Sequence, residues 1–219
     1  MKTQPLFINT VSFLALSLCY ASAANITTYD RAGFDAAVAG SSTTTQTFDT
    51  LAPGTILNTL NGVTYSASAG NPIVTNAYAT TTGVNSLGST SAGFFEATET
   101  ATFTFATAIT EFGIDINTFG SLSGDYLAAT TNLGNVALSD YDPFPGYSTG
   151  QFLGFTSDTP FTSVTIKGLP DPSGNLYVYT LDTMVYGNQA SSAPEPATLA
   201  TLGLGLAFIG LVKAKRKTA

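Results

Sequence analysis

The sequence predicts an all-β domain: an antiparallel two-sheet sandwich with one short helix at its start, followed by a C-terminal transmembrane helix. Three observations carry this expectation. After residue 40 the chain breaks into about nine or ten short runs rich in Thr, Val, Ile, Phe and Tyr, at a spacing of roughly 8–12 residues. Several runs alternate with period two, Phe103 and Phe105 against Thr102 and Thr104 being the cleanest. No fixed repeat runs through them, which argues against a solenoid.

The elements follow in order. Met1 to Ala23 reads as a secretory signal peptide: Lys2 is its only charge, Leu6 to Tyr20 its apolar core, and Ala21-Ser22-Ala23 its cleavage site. Cys19 follows Leu18, where a lipobox wants Gly or Ala, so lipidation is not expected. Cleavage after Ala23 removes the single cysteine, so no disulfide braces the body. Residues 24–187 form the sandwich domain. The stretch Thr28 to Gly40 is its one helix candidate, capped by Thr28 or Asp30, with Phe34, Ala37 and Val38 on one face.

Strands are then expected over Thr44 to Asp49, over Val63 to Ala67 after the Asn61-Gly62 turn, and at Ile73-Val74. Residues 75–93 read as loop with one strand at most. Ala101 to Ala106 and Thr110 to Asn117 read as a hairpin, with Phe112, Ile114 and Ile116 on a core face and Glu111 and Asp115 on a wet one. Weaker strands lie within Leu127 to Leu138. Gly150 to Thr156, Ser163 to Lys167 and Leu176 to Tyr186 complete the set, the last as the longest, after a turn at Asp171 to Asn175. Residues 188–193 are a small polar linker.

The tail, 194–219, joins three unlike pieces: Pro194-Glu195-Pro196, an apolar run from Ala197 to Val212, and the basic cluster Lys213, Lys215, Arg216 and Lys217. The prolines hold the backbone extended, as a protease cleft requires. Sixteen helical residues reach about 24 Å, short of the ~30 Å hydrocarbon core, and snorkelling lysines make up the difference. The basic cluster stays on the cytoplasmic side. This tail resembles the PEP-CTERM sorting signal. The resemblance implies recognition by an exosortase, a membrane cysteine protease-transpeptidase, and transient anchoring in the inner membrane with the body in the periplasm.

Charge is distributed unevenly. Five of seven basic residues lie in the two terminal signals, whereas all 14 acids lie between Ala24 and Val212, giving that stretch a charge of 2 − 14 = −12. Clustered cations for nucleic acid are lacking there. Without histidine, no His-based triad or His-metal site exists in this chain.

Three candidate sites remain. Asp49 and Asp182, near the first and last strands, could hold Ca²⁺, or could cap strand ends. Tyr141, Phe144 and Tyr147 lie in a proline-stiffened loop and could stack on sugar rings, or plug the sandwich. Glu96, Glu99 and Glu111 could supply a glycosidase pair only if two of them lie about 5–10 Å apart. The Thr runs 43–45 and 80–82 form no regular array of the kind a flat ice-binding face needs.

The body also resembles domains found in front of this sorting tail. The matching pieces are Arg31-Ala32-Gly33-Phe34, Phe48-Asp49, Gly62-Val63-Thr64-Tyr65, Gly154-Phe155 with Pro160-Phe161, and Leu181-Asp182 with Tyr186-Gly187. That resemblance implies a jelly roll similar to carbohydrate-binding modules, and no reaction. The expected function is therefore a non-enzymatic cell-surface or matrix protein, with carbohydrate binding to extracellular polysaccharide as the alternative and a carboxylate glycosidase third.

Overall fold

The computed structural model describes residues 24–89, 92–119, 126–145, 150–170 and 177–189. The expected signal peptide, the Asp171 turn, most of the linker and the tail lie outside the described residues. No helix among the described residues is long and apolar enough to cross a membrane.

Among the described residues, thirteen strands and one helix follow one another as β1 (Ile26–Tyr29), α1 (Arg31–Val38), β2 (Ser42–Gln46), β3 (Thr59–Leu60), β4 (Val63–Ala67), β5 (Pro72–Thr75), β6 (Ser86–Ser89), β7 (Phe95–Glu96), β8 (Thr100–Asn117), β9 (Leu127–Thr131), β10 (Val136–Leu138), β11 (Asp140–Tyr141), β12 (Gln151–Gly168) and β13 (Val178–Asn188). All the strand pairings are antiparallel. The order through the centre is β10-β9-β12-β8-β13-β6-β5. The described residues are thus all-β with one helix, consistent with a sandwich.

The helix begins where the cap chemistry puts it. Asp30 is extended and its carboxylate accepts the Gly33 N–H at 2.7 Å, satisfying one of the free donors of the first turn. Phe34 is the residue this short helix buries. The strand at Val63 to Ala67 also stands as expected, after Asn61 and Gly62, both at positive φ.

Three expectations change. First, there is no hairpin between residues 101 and 117: both alternating runs belong to the single strand β8. Phe103 and Phe112 are nine residues apart, which on a straight strand means about 30 Å and opposite faces. Their ring centroids are 5.9 Å apart. The strand therefore bends sharply between them, where Ala106 and Thr107 are both exposed and the alternation changes phase. β12 does the same, merging two expected strands into one; Phe155 and Phe161 meet at 5.4 Å across its register shifts. β8 and β12 therefore span 18 residues each and β13 only 11, so the last strand is not the longest. Second, the expected strand to Asp49 ends at Gln46, because Phe48 takes a positive φ of 63° and turns the chain inward. Third, the wet face of Thr110 to Asn117 is dry: Glu111 and Asp115 are buried, under α1 and the loop before β6.

The bent strands wrap one aromatic core. Phe48, Tyr65, Phe103, Phe105, Phe112, Phe155 and Phe161 are all buried within it, linked by ring contacts such as Tyr65–Phe103 at 5.6 Å and Phe112–Phe155 at 5.8 Å. Burial of each such side chain stabilises the fold by roughly 1.5–3 kcal/mol. At one end of the body, Asn25 and Gln189 line the same shallow pocket beside Ser157 and Asp158. The chain thus enters and leaves the body at one pole.

Candidate functional site

Capping by Asp30 sets Arg31 at the first position of α1, facing the outer side of β8 and β12. Its guanidinium lies 4.1 Å over the Phe152 ring, pairs with Asp115, and reaches Asp142 at 3.7 Å. Burial pulls it below its ordinary pKa, opposed chiefly by the nearby Asp35 and Asp142 charges. Asp115 sits between Phe152 and Asp182 on the neighbouring strands. Two buried carboxylates, Asp115 and Asp182, thus lie side by side.

Asp182 is held by a loop. Its Oδ2 accepts the backbone N–H of Thr81 at 2.8 Å, that of Thr82 at 3.1 Å, and approaches the Thr81 hydroxyl at 3.0 Å. The same hydroxyl reaches Asp115. Thr183, at a positive φ of 36° in the β13 bulge, places its hydroxyl 2.9 Å from that of Thr81 and 3.0 Å from that of Thr82. The Asp182 Oδ1 has no hydrogen-bond partner, and burial raises this carboxyl above the ordinary range.

Asp49 grips the other end of the same loop. Its Oδ1 accepts from Val84 N at 2.8 Å and Asn85 N at 3.0 Å. Gly83, at φ +51°, fits against this carboxylate so closely that a Cβ would stand 2.1 Å from the Asp49 Oδ1. Asp49 and Asp182 thus hold backbone donors at two ends of one loop, and the carboxylate in register with Asp182 is Asp115. Among the described residues, no group of three or more Asp, Glu, His or Cys side chains is arranged to hold a metal ion.

An open cleft of about 320 Å³ lies outside the Arg31 cluster, lined by Asp30, Arg31, Ala32, Asp140, Tyr141, Asp142 and Phe152. It adjoins a second groove that shares Asp30 and Asp140 with it. Tyr141 is 38 % exposed at its rim. Phe144 is not available for stacking: it is 3 % exposed and plugs the space over Gly150, where an added Cβ would lie 2.5 Å from its ring. Tyr147 lies outside the described residues.

Glu96 and Glu99 share one turn, and Glu111 lies on another strand. Glu99 caps its own turn, accepting the Glu96 N–H at 2.9 Å. Glu111 is buried and accepts the Ser41 hydroxyl at 2.6 Å. Glu96 pairs with Val178 and Glu111 with Gly187, nine positions apart on β13 and on either side of its bulge.

Sequence reading missed Arg31, Asp115, Asp140 and Phe152 as members of one cluster. A signal existed for the first: Arg31 and Lys167 are the only basic residues between Ala24 and Val212, among 14 acids. An isolated cation on a helix start, in so acidic a chain, calls for a carboxylate partner.

Among solved structures, a mutant of CBM29-2, a family 29 carbohydrate-binding module, is similar to 71 % of this chain and to 99 % of its own length, at 10 % identity and a TM-score of 0.33. No curated protein matches the chain in sequence. Residues 192–217 match the model of the PEP-CTERM protein-sorting motif, and the chain therefore carries a PEP-CTERM sorting signal behind its β-rich body.

Proposed function

We propose that this chain is an exported cell-surface or matrix protein with no catalytic activity of its own, whose function begins when an exosortase reads and cuts its tail. The observation that carries this reading is the motif match over residues 192–217, with Pro194-Glu195-Pro196, the apolar run 197–212 and the cluster Lys213, Lys215, Arg216 and Lys217 in order. The body itself is a jelly-roll-like two-layer sandwich. The burial of Glu111, whose carboxylate accepts the Ser41 hydroxyl, takes it out of the candidate glycosidase pair.

The test is mass spectrometry of the mature protein from a host that has its exosortase. A product ending near Pro194-Glu195-Pro196 is expected. A mature species that still carries Lys213 to Lys217 would overturn the sorting reading.

A second reading, saccharide binding in the Arg31–Tyr141 cleft, is favoured by one observation: an exposed aromatic ring stands beside three carboxylates able to bond sugar hydroxyls. Extracellular polysaccharide is the corresponding partner. On a glycan array, wild-type binding should fall at least tenfold in Tyr141→Ala. Equal binding by both proteins would remove the cleft as the site.

A further inference from the structure

We infer that the free edge of β2 is a self-association surface, where a second copy of this chain pairs antiparallel with the first. β2 is bonded on one side to β13, Ser42 facing Asn188 and Gln46 facing Met184. No other strand among the described residues pairs with β2. Ser42 to Thr45 are exposed on both faces of the strand. From Gly40 to Phe48 the chain has no charge and no proline, the two devices that usually protect an edge. Three consecutive threonines hold it extended.

Other edges are guarded. β1 runs into Asp30, and β10 is three residues long and leads to Asp140. β5 begins at Pro72 and is bridged by Ile56 at Ile73. β2 is the longer uncharged edge left open.

Charge and symmetry identify the occupant. The stretch from Ala24 to Val212 carries −12, so two copies repel over most approaches. Across the β2 edge they bring no charge together. An antiparallel pair centred on Thr44 is self-complementary under a two-fold axis: Thr43 of one copy faces Thr45 of the other. Cross-strand threonine hydroxyls bond well in such pairs. The protein does this internally, where Thr102 and Thr165 are register partners with hydroxyls 2.9 Å apart. The pairing makes one continuous sheet through β8, β13 and β2 of both copies.

The test uses the full chain in detergent, followed by sedimentation. The wild type should show concentration-dependent dimers. Thr43→Lys/Thr45→Lys and Thr43→Asp/Thr45→Asp should each weaken the dimer at least tenfold, while an equimolar mixture of the two restores it. Val136→Lys, on the β10 edge, should leave it unchanged. A monomeric wild type, or double variants that associate like it, would overturn the inference. So would a mixture that stays dissociated while both variants retain the wild-type circular dichroism and melting. All arms keep the same tail, so association through the apolar run cannot produce the pattern.

Discussion

The second half of β8 is closed to water on both faces, by opposite means. On the inner face Phe112, Ile114 and Ile116 pack into the aromatic core. On the outer face Glu111, Asp115 and Asn117 are as deeply buried, under α1 and the 79–83 loop. There Asn117 Nδ2 donates to the Ala79 carbonyl at 3.2 Å, Asp115 takes Arg31 and Thr81, and Glu111 takes Ser41. The inner face gains from excluding water. The outer face gains little net, because each bond replaces one to water, and it loses heavily if a partner is removed. Alternation in sequence therefore reports which face is polar and does not report which face is wet.

Substitutions on the two faces separate these mechanisms. The largest effect is expected at Phe112, which touches Phe103, Phe105 and Phe155. Phe112→Ala should cost about 3–5 kcal/mol, read as a large fall in denaturation midpoint. Truncating a second ring of the cluster should deepen the loss, because the loss is one of volume.

Next is Arg31→Met, which leaves Asp115 and Asp182 buried without their cation. A cost of about 3 kcal/mol is expected. Here a second change should help: Arg31→Met/Asp115→Leu should recover most of the loss. If the double variant is no more stable than the single one, the outer face is held by packing, and the contrast between the faces fails.

The smallest effect is a pH dependence. Burial raises the Asp182 carboxyl above its unfolded value. A raised group favours the folded state fully below the unfolded value, near ~3.9, and that contribution is lost as pH rises through the folded value. Asp182→Asn removes the titration. The difference in melting temperature between wild type and Asp182→Asn should therefore shift in favour of the wild type, by a few degrees, on going from pH 7 to pH 4. A constant difference would mean that Asp182 keeps its charge throughout, balanced by Arg31.

Local chemistry was legible in the sequence and long-range closure was not. The Asp30 cap, the Asn61-Gly62 turn and the strand after it are decided within a few residues. Phe103/Phe105 and Phe112/Ile114/Ile116 were correctly marked as inward. The error was to place a reversal between them, since a bend and a hairpin both interrupt alternation. The site depends on partners far apart in the chain: Arg31 meets Asp115, and Asp182 meets Thr81. No local pattern encodes which acid a lone arginine will find. Phe144 was ambiguous for the same reason, because exposure depends on what packs above it, here Gly150. The tail was readable because its three parts act in sequence along the chain rather than by folding together.

The strand order sets a schedule for export. Asn25 is bonded to Asp158 across 133 residues, and β13 is the partner of β2, β6, β7 and β8. Contacts of such long range form late, because most of the chain must be present before they close. A polypeptide delivered N-terminus first cannot complete this body until β13 has emerged, and only four residues separate Gln189 from the motif at Pro194. Arrested chains ending at residue 177 should stay sensitive to protease, and those extended past residue 189 should become resistant; resistance in the shorter chain would refute this order. The topology thus predicts a clock: a chain delivered in this order is expected to stay unfolded until β13 is available, just ahead of its sorting motif.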